Sequence, residues 1–223
     1  MSNYDQVVAR PGESALSTNK VLRNTYTLLS MTLVFSALMA GLSMAVQPPP
    51  MTGLLTFGGA ILLLWFVLPR TANSVAGIWV VFGVTGLLGF GLGPMLNAYM
   101  TLANGSQIIM TALGGTGVIF LGLSGYALTT RKDFSFLGGF LFVGFLVILG
   151  AALLNIFMEI PALSLAISSA VILIMSGFIQ YDTSRIINGG ERNYILATVA
   201  LYLSLYNIFV HLLHLLGVLS GDD

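Results

Sequence analysis

The sequence predicts an all-α integral membrane protein with seven transmembrane helices, the C-terminal one of them central. Apolar residues make up 57% of the 223-residue chain and Asp, Glu, Lys and Arg only 7%, against about 25% charged in a soluble domain. After residue 24 the apolar residues fall into seven blocks, each near the ~20 residues that a helix needs to cross ~30 Å of hydrocarbon. None of the blocks alternates polar with apolar residues, as the strands of a lipid-spanning barrel would.

Residues 1–24 read as a water-exposed tail, because they carry Asp5, Arg10, Glu13, Lys20 and Arg23 and no long apolar run. They are no signal peptide, since Arg10, Pro11, Gly12 and Glu13 occupy the place of its apolar region. The seven blocks are expected at 25–46, 51–68, 75–96, 107–129, 136–157, 161–181 and 194–219. That leaves a tail over 1–24, a membrane domain over 25–219 and a short end over 220–223. The joins carry helix breakers: Gln47-Pro48-Pro49-Pro50, Pro69, Asn104-Gly105, Pro161 and Asn188-Gly189-Gly190. The third block ends in Gly89-Phe90-Gly91-Leu92-Gly93-Pro94, where a broken or kinked helix is expected.

All eight Lys and Arg fall in the tail or in alternate joins: Arg10, Lys20, Arg23, Arg70, Arg131, Lys132, Arg185 and Arg192. By the positive-inside rule this places the N-terminus in the cytoplasm and the C-terminus outside. Eight basic and eight acidic residues cancel, so nothing points to nucleic acid. Cysteine is absent, which removes disulfides, thiolate metal sites and Cys nucleophiles. With two histidines and few carboxylates, no metal or other cofactor is expected; the lipid bilayer is the one certain partner.

Ser204, Asn207, His211 and His214 recur three, four and three residues apart, and so form one polar stripe on the last helix. Polar residues inside a membrane face a bundle interior or a water-filled cavity, so this helix is expected at the centre. The stripe either lines an ion path or ties helices together by hydrogen bonds. Asp182 closes the sixth block and is expected to pair with Arg70 or Arg185, unless it simply reaches water at the helix end. Gly122-Leu123-Ser124-Gly125 matches the Gly-x-Ser-Gly of rhomboid-type intramembrane proteases. Its depth argues against catalysis, because the expected spans put Ser124 and His211 roughly 15–20 Å apart along the membrane normal, far beyond the ~3 Å of proton transfer. No enzyme activity is expected. Gly89 and Gly93 form a G-x-x-x-G, and this and the other glycine clusters read as close-packing surfaces.

Three stretches resemble the Bax inhibitor-1 family, in particular its bacterial YccA branch. They are Asn19-Lys20-Val21-Leu22-Arg23-Asn24-Thr25-Tyr26, then Thr129-Thr130-Arg131-Lys132-Asp133-Phe134-Ser135-Phe136-Leu137-Gly138-Gly139, and Leu201-Tyr202-Leu203-Ser204-Leu205-Tyr206-Asn207. The resemblance covers about residues 17–218 and implies six helices around the last.

It also implies two functions. The first is modulation of FtsH, a membrane-anchored ATP-dependent protease of the inner membrane, by a protein that is also its slow substrate. That protease would grip the N-terminal tail, where Asn3, Tyr4, Asp5, Arg10 and Glu13 lie. The alternative is a pH-sensitive calcium or proton leak gated by two aspartates and an arginine. The family's helix-six aspartate falls on Asp182, its arginine on Arg70 and its helix-seven aspartate on Ser204. A serine cannot share a proton as one of two coupled carboxylates, so the leak would need an altered, single-aspartate latch.

Overall fold

The computed structural model describes residues 11–220, with side chains from residue 18 onward. Seven helices long and apolar enough to cross a membrane follow one another. They are α1 (Pro11–Val46), α2 (Met51–Thr71), α3 (Val75–Met100), α4 (Gly105–Thr130), α5 (Leu137–Met158), α6 (Pro161–Ile187) and α7 (Tyr194–Ser220). This is a multi-pass membrane protein. The start of α1 and the joins 72–74, 131–136 and 188–193 lie at one end, called here the basic end. The joins 47–50, 101–104 and 159–160 lie at the other.

Three boundaries differ from the sequence reading. Helix α1 begins at Pro11, so residues 11–24 of the expected tail are helical and continuous with the first span. Proline is favoured in a first turn, where its missing N–H has no partner to lose. Helix α2 runs through Pro69 to Thr71, widening into a π turn at Leu63–Val67. Pro69 cannot donate to the Trp65 carbonyl and its ring crowds that group, and a π turn relieves the conflict without ending the helix. Helix α3, in contrast, continues unbroken through Gly89 and Pro94. Its glycines are spent on contact with α1: a Cβ on Gly89 would sit 2.6 Å from Ser36 Oγ, and one on Gly86 would sit 2.8 Å from the Phe35 ring. Such close approach is how small residues join helices where lipid offers no hydrophobic driving force.

Three helices stop on non-glycine residues in the left-handed region, at Gln47 (φ 53°), Arg131 (φ 51°) and Glu159 (φ 49°). Each uses its N–H to satisfy a carbonyl of the preceding turn, on Ser43, Ala127 and Asn155 respectively.

Helix α7 is central. Of its most apolar stretch 56% is buried, against 6% for α5 and 11% for α2. Helices α1, α3, α4 and α6 pack directly on it, while α2 is held against α3 and α5 against α6. The surround of six is thus four direct neighbours with two outer supports. The core around α7 contains Leu201, Tyr202, Leu205 and Ile208, packed with Leu29, Val84, Leu88 and Ile179.

Candidate functional site

Helix α7 presents its polar groups at three levels. At the basic end Asn193 starts the helix. Its Oδ1 accepts from the N–H groups of Ile195 and Leu196, while its Nδ2 donates to the Ala72 carbonyl (2.9 Å) and to Asn73 Oδ1 (2.9 Å). One side chain therefore caps α7 and holds the α2–α3 join. Thr198, one turn inward, donates to its own Tyr194 carbonyl and lies 3.3 Å from that of Thr25 on α1.

At mid-depth Tyr202 is fully buried, its hydroxyl 2.6 Å from Ser36 Oγ on α1 and 3.3 Å from the Thr85 carbonyl on α3. This one phenol joins three helices. Ser204 is buried, which agrees with an inward stripe. Asn207 turns its Nδ2 onto the Leu203 carbonyl of its own helix at 2.8 Å.

Toward the opposite end, Ser168 of α6 sits between two imidazoles. Its Oγ lies 3.1 Å from His211 Nδ1 and 3.0 Å from His214 Nδ1, and the serine is only 2% exposed. A serine has a single hydrogen to donate, so at least one of these imidazoles carries Nδ1–H and donates to it. The polar stripe is thus an interhelical tie in its outer half.

The basic end of α6 carries a second group of polar contacts. Tyr26 of α1, Ser124 of α4 and Thr183 of α6 bring three hydroxyls together: Tyr26 bonds Ser124, and Thr183 lies 3.5 Å from each. Ser184 donates to the Lys132 carbonyl (3.0 Å) and accepts from the Phe134 N–H (2.9 Å), fastening the 131–136 loop to α6. Within that loop the Ser135 N–H donates to Asp133 Oδ1 at 2.8 Å. This bond, with the Ser135 hydroxyl, holds the Asp133 carboxyl below its usual range. Arg185 lies over the Tyr181 ring at 5.5 Å and pairs with Glu191 at 3.7 Å.

The latch that the resemblance implied is not assembled. Asp182 is half-buried and pairs with neither Arg70 nor Arg185; among the described residues the one ion pair is Arg185–Glu191. Arg70 instead donates to the Phe66 carbonyl of its own helix at 2.8 Å and faces outward. Ser124 and the histidines lie apart: Ser124 meets Thr183 while His211 meets Ser168, and about 22 Å of helix separates those two positions of α6. Of the tail residues, Asn3, Tyr4, Asp5 and Arg10 lie outside the described residues, as does the side chain of Glu13.

Reading the sequence missed Ser168, Tyr202, Tyr26 and Asn193. Ser168 stood beside Ser169 as the one adjacent hydroxyl pair of the sixth block, which was a usable signal. Tyr202 lay in plain view within Leu201-Tyr202-Leu203-Ser204, but nothing in the spacing told its role from packing.

Seven apolar helices with interhelical hydroxyl and imidazole ties around a buried last helix define a polytopic membrane bundle. The family described as "Inhibitor of apoptosis-promoting Bax1" matches residues 18–221, and the chain belongs to that family. It is 54% identical over 209 residues, 94% of each chain, to the "Modulator of FtsH protease YccA" of Escherichia coli K12. The "Inner membrane protein YccA" of Escherichia coli O6:H1 matches to the same extent. An "Uncharacterized membrane protein" of Vibrio cholerae is 50% identical over 211 residues, 95% of each chain.

Proposed function

We propose that this protein is an inner-membrane modulator and slow substrate of the FtsH protease, acting through protein–protein contact. The observation that carries this reading is the 54% identity, over 94% of both chains, to a protein named as a modulator of that protease. The eight-to-zero distribution of Lys and Arg supports a cytoplasmic N-terminus and an external C-terminus. In that orientation residues 1–17 precede the membrane stretch of α1, which starts at Thr18, and serve as the protease's handle, with Asn3, Tyr4, Asp5, Arg10 and Glu13 among them. Because 11–17 are helical, the reach of this handle is shorter than that of a fully extended strand, at 1.5 Å instead of about 3.3–3.6 Å per residue.

No chemistry of its own is assigned to the chain. The lone serine in a protease-like motif, Ser124, is engaged by two hydroxyls and lies remote from both histidines. An ion leak of the latch type would rest on Asp182, Arg70 and the Ser204–Asn207–His211–His214 stripe, and the distances above do not favour it. The test removes residues 1–17 and follows the half-life of the membrane domain in cells with and without active FtsH. The truncated protein is expected to persist several-fold longer than the full chain where FtsH is active. Equal turnover of the two would remove the handle. An Asp182→Asn variant in the same cells should behave as wild type.

A further inference from the structure

No Cα of α1 comes within 8 Å of a Cα of α4 among the described residues. Near the basic end side chains close the gap, since Tyr26 bonds Ser124 and its ring lies 5.9 Å from that of Phe120. Beyond Phe120 the two helices part, and the space between them opens into a cavity of about 440 Å³. Its long walls are residues 33–44 of α1 and 109–120 of α4, and its floor is α7 at Tyr202, Leu205 and Phe209. The lining is overwhelmingly apolar, and Asp182, Ser204, His211 and His214 form no part of it. It is therefore separate from the polar stripe and from Asp182, and it borders the mid-depth tie through Ser36 and Tyr202.

Size, length and surroundings together select one kind of occupant. Each wall runs about 16 Å at 1.5 Å per residue, close to the ~15 Å of one hydrocarbon leaflet. The volume is about three times that of a ~150 Å³ apolar cavity that takes up one benzene ring, which corresponds to roughly eighteen carbons. The gap faces sideways into hydrocarbon, with Leu113 of α4 exposed at its lip. Leaving such a space unfilled would cost dispersion contacts along every wall, and lipid tails are the apolar chains at hand there.

We propose that this cleft is a binding site for one acyl chain of a phospholipid, entering between α1 and α4 from the leaflet on the side of the 47–50 and 101–104 joins. The chain lies along the bundle normal with its inner end against Phe120 and Tyr202. Two glycines in the lining, Gly41 and Gly117, have open space where a Cβ would stand. A larger side chain at either position fills the cleft without displacing protein, so both leave a chosen test intact.

The full chain, with Trp65→Phe and Trp79→Phe, receives Phe209→Trp at the cleft floor and is reconstituted into vesicles of phospholipid brominated on its acyl chains. Phe209 is only 7% exposed whereas Trp65 is 75% exposed, so bromine reaches position 209 only through an occupied cleft. The expected result is quenching at least half as deep as that of Trp65 in a chain retaining it. Gly41→Leu or Gly117→Leu should then reduce the quenching at position 209 several-fold. Gly122→Leu, also on α4 with open space at its Cβ but outside the lining, should leave it unchanged. An unquenched indole at position 209 overturns the proposal, and so does quenching indifferent to both glycine substitutions. Quenching by brominated free fatty acid but not by brominated phospholipid also overturns it. Unaltered quenching of Trp65, when each glycine substitution is made in a chain that keeps Trp65 and has Phe209 in place, shows that the bundle has kept its fold.

Discussion

Replacing Ser168 by Ala removes the one hydroxyl that two α7 imidazoles share. The serine stands 3.1 Å from His211 Nδ1 and 3.0 Å from His214 Nδ1, so a single atom severs two interhelical bonds. Such bonds average about 0.6 kcal/mol inside membranes and reach about 1.7, which gives an expected loss of about 1–2 kcal/mol. Alanine fills nearly the same volume and opens no cavity worth counting, so lost hydrogen bonding accounts for the whole effect. The assay is equilibrium unfolding in mixed detergent micelles, run as a double-mutant cycle with His214→Leu. With His214 already gone only the His211 bond remains, and the cost of Ser168→Ala should fall to about half. Nitrogen-15 NMR of the imidazoles should also show at least one as the Nδ1–H tautomer, because one serine hydrogen cannot serve both rings. A Ser168→Ala protein within about 0.3 kcal/mol of wild type, the margin to which independent sites add, would refute the shared tie. An equal cost in both backgrounds would refute it too.

Three further outcomes follow from the geometry. Gly89→Leu should separate α1 from α3, since even a Cβ would stand 2.6 Å from Ser36 Oγ. A loss of about 1–3 kcal/mol is expected from overpacking, readable as a lowered melting temperature, and a neutral result would contradict the contact. Gln47→Gly should stabilise by about 0.5–1 kcal/mol, because Gln47 ends α1 at φ 53° where an L side chain is strained; a destabilised variant would contradict that. The Asp133 carboxyl has a lowered folded-state pKa, so its support of the 131–136 loop is complete above its unfolded value of 3.8 and is lost as pH falls through the depressed one. The protection of the Ser135 amide, taken relative to its intrinsic exchange rate at each pH, should accordingly hold at neutral pH and be lost only below pH 3.8, and Asp133→Ala should remove it throughout.

The number of helices, the central last helix and the inward stripe were legible because each follows from a one-dimensional signal. Block length tells a span, and spacing of three and four residues tells a common helix face. What the stripe touches was not legible. Helices that are apolar on every side carry no record of which face meets which neighbour, so Ser168 could not be matched to His211 and His214 before the helices were packed. The same limit explains Arg70 and Asp182, which the chain order allowed to meet and which form no ion pair, Arg70 turning outward onto the Phe66 carbonyl. Local chemistry misled at one point: the charges of residues 1–24 read as a water-exposed tail, although proline suits a first turn and α1 starts at Pro11. The glycines before Pro94 carried two readings, a break and a close-packing surface, and the second is the one that the approach of α1 realises. The cleft between α1 and α4 had no sequence signature, since absence of contact between two helices is a property of the packed bundle alone.

The central claim is that this protein modulates a membrane-anchored protease by contact. The most direct measurement is the rate at which purified FtsH degrades a second membrane substrate in vesicles, with and without an equimolar amount of this protein. The expected result is a degradation rate reduced several-fold by the full chain and restored when residues 1–17 are deleted. A rate that does not change on adding the full chain would contradict the account.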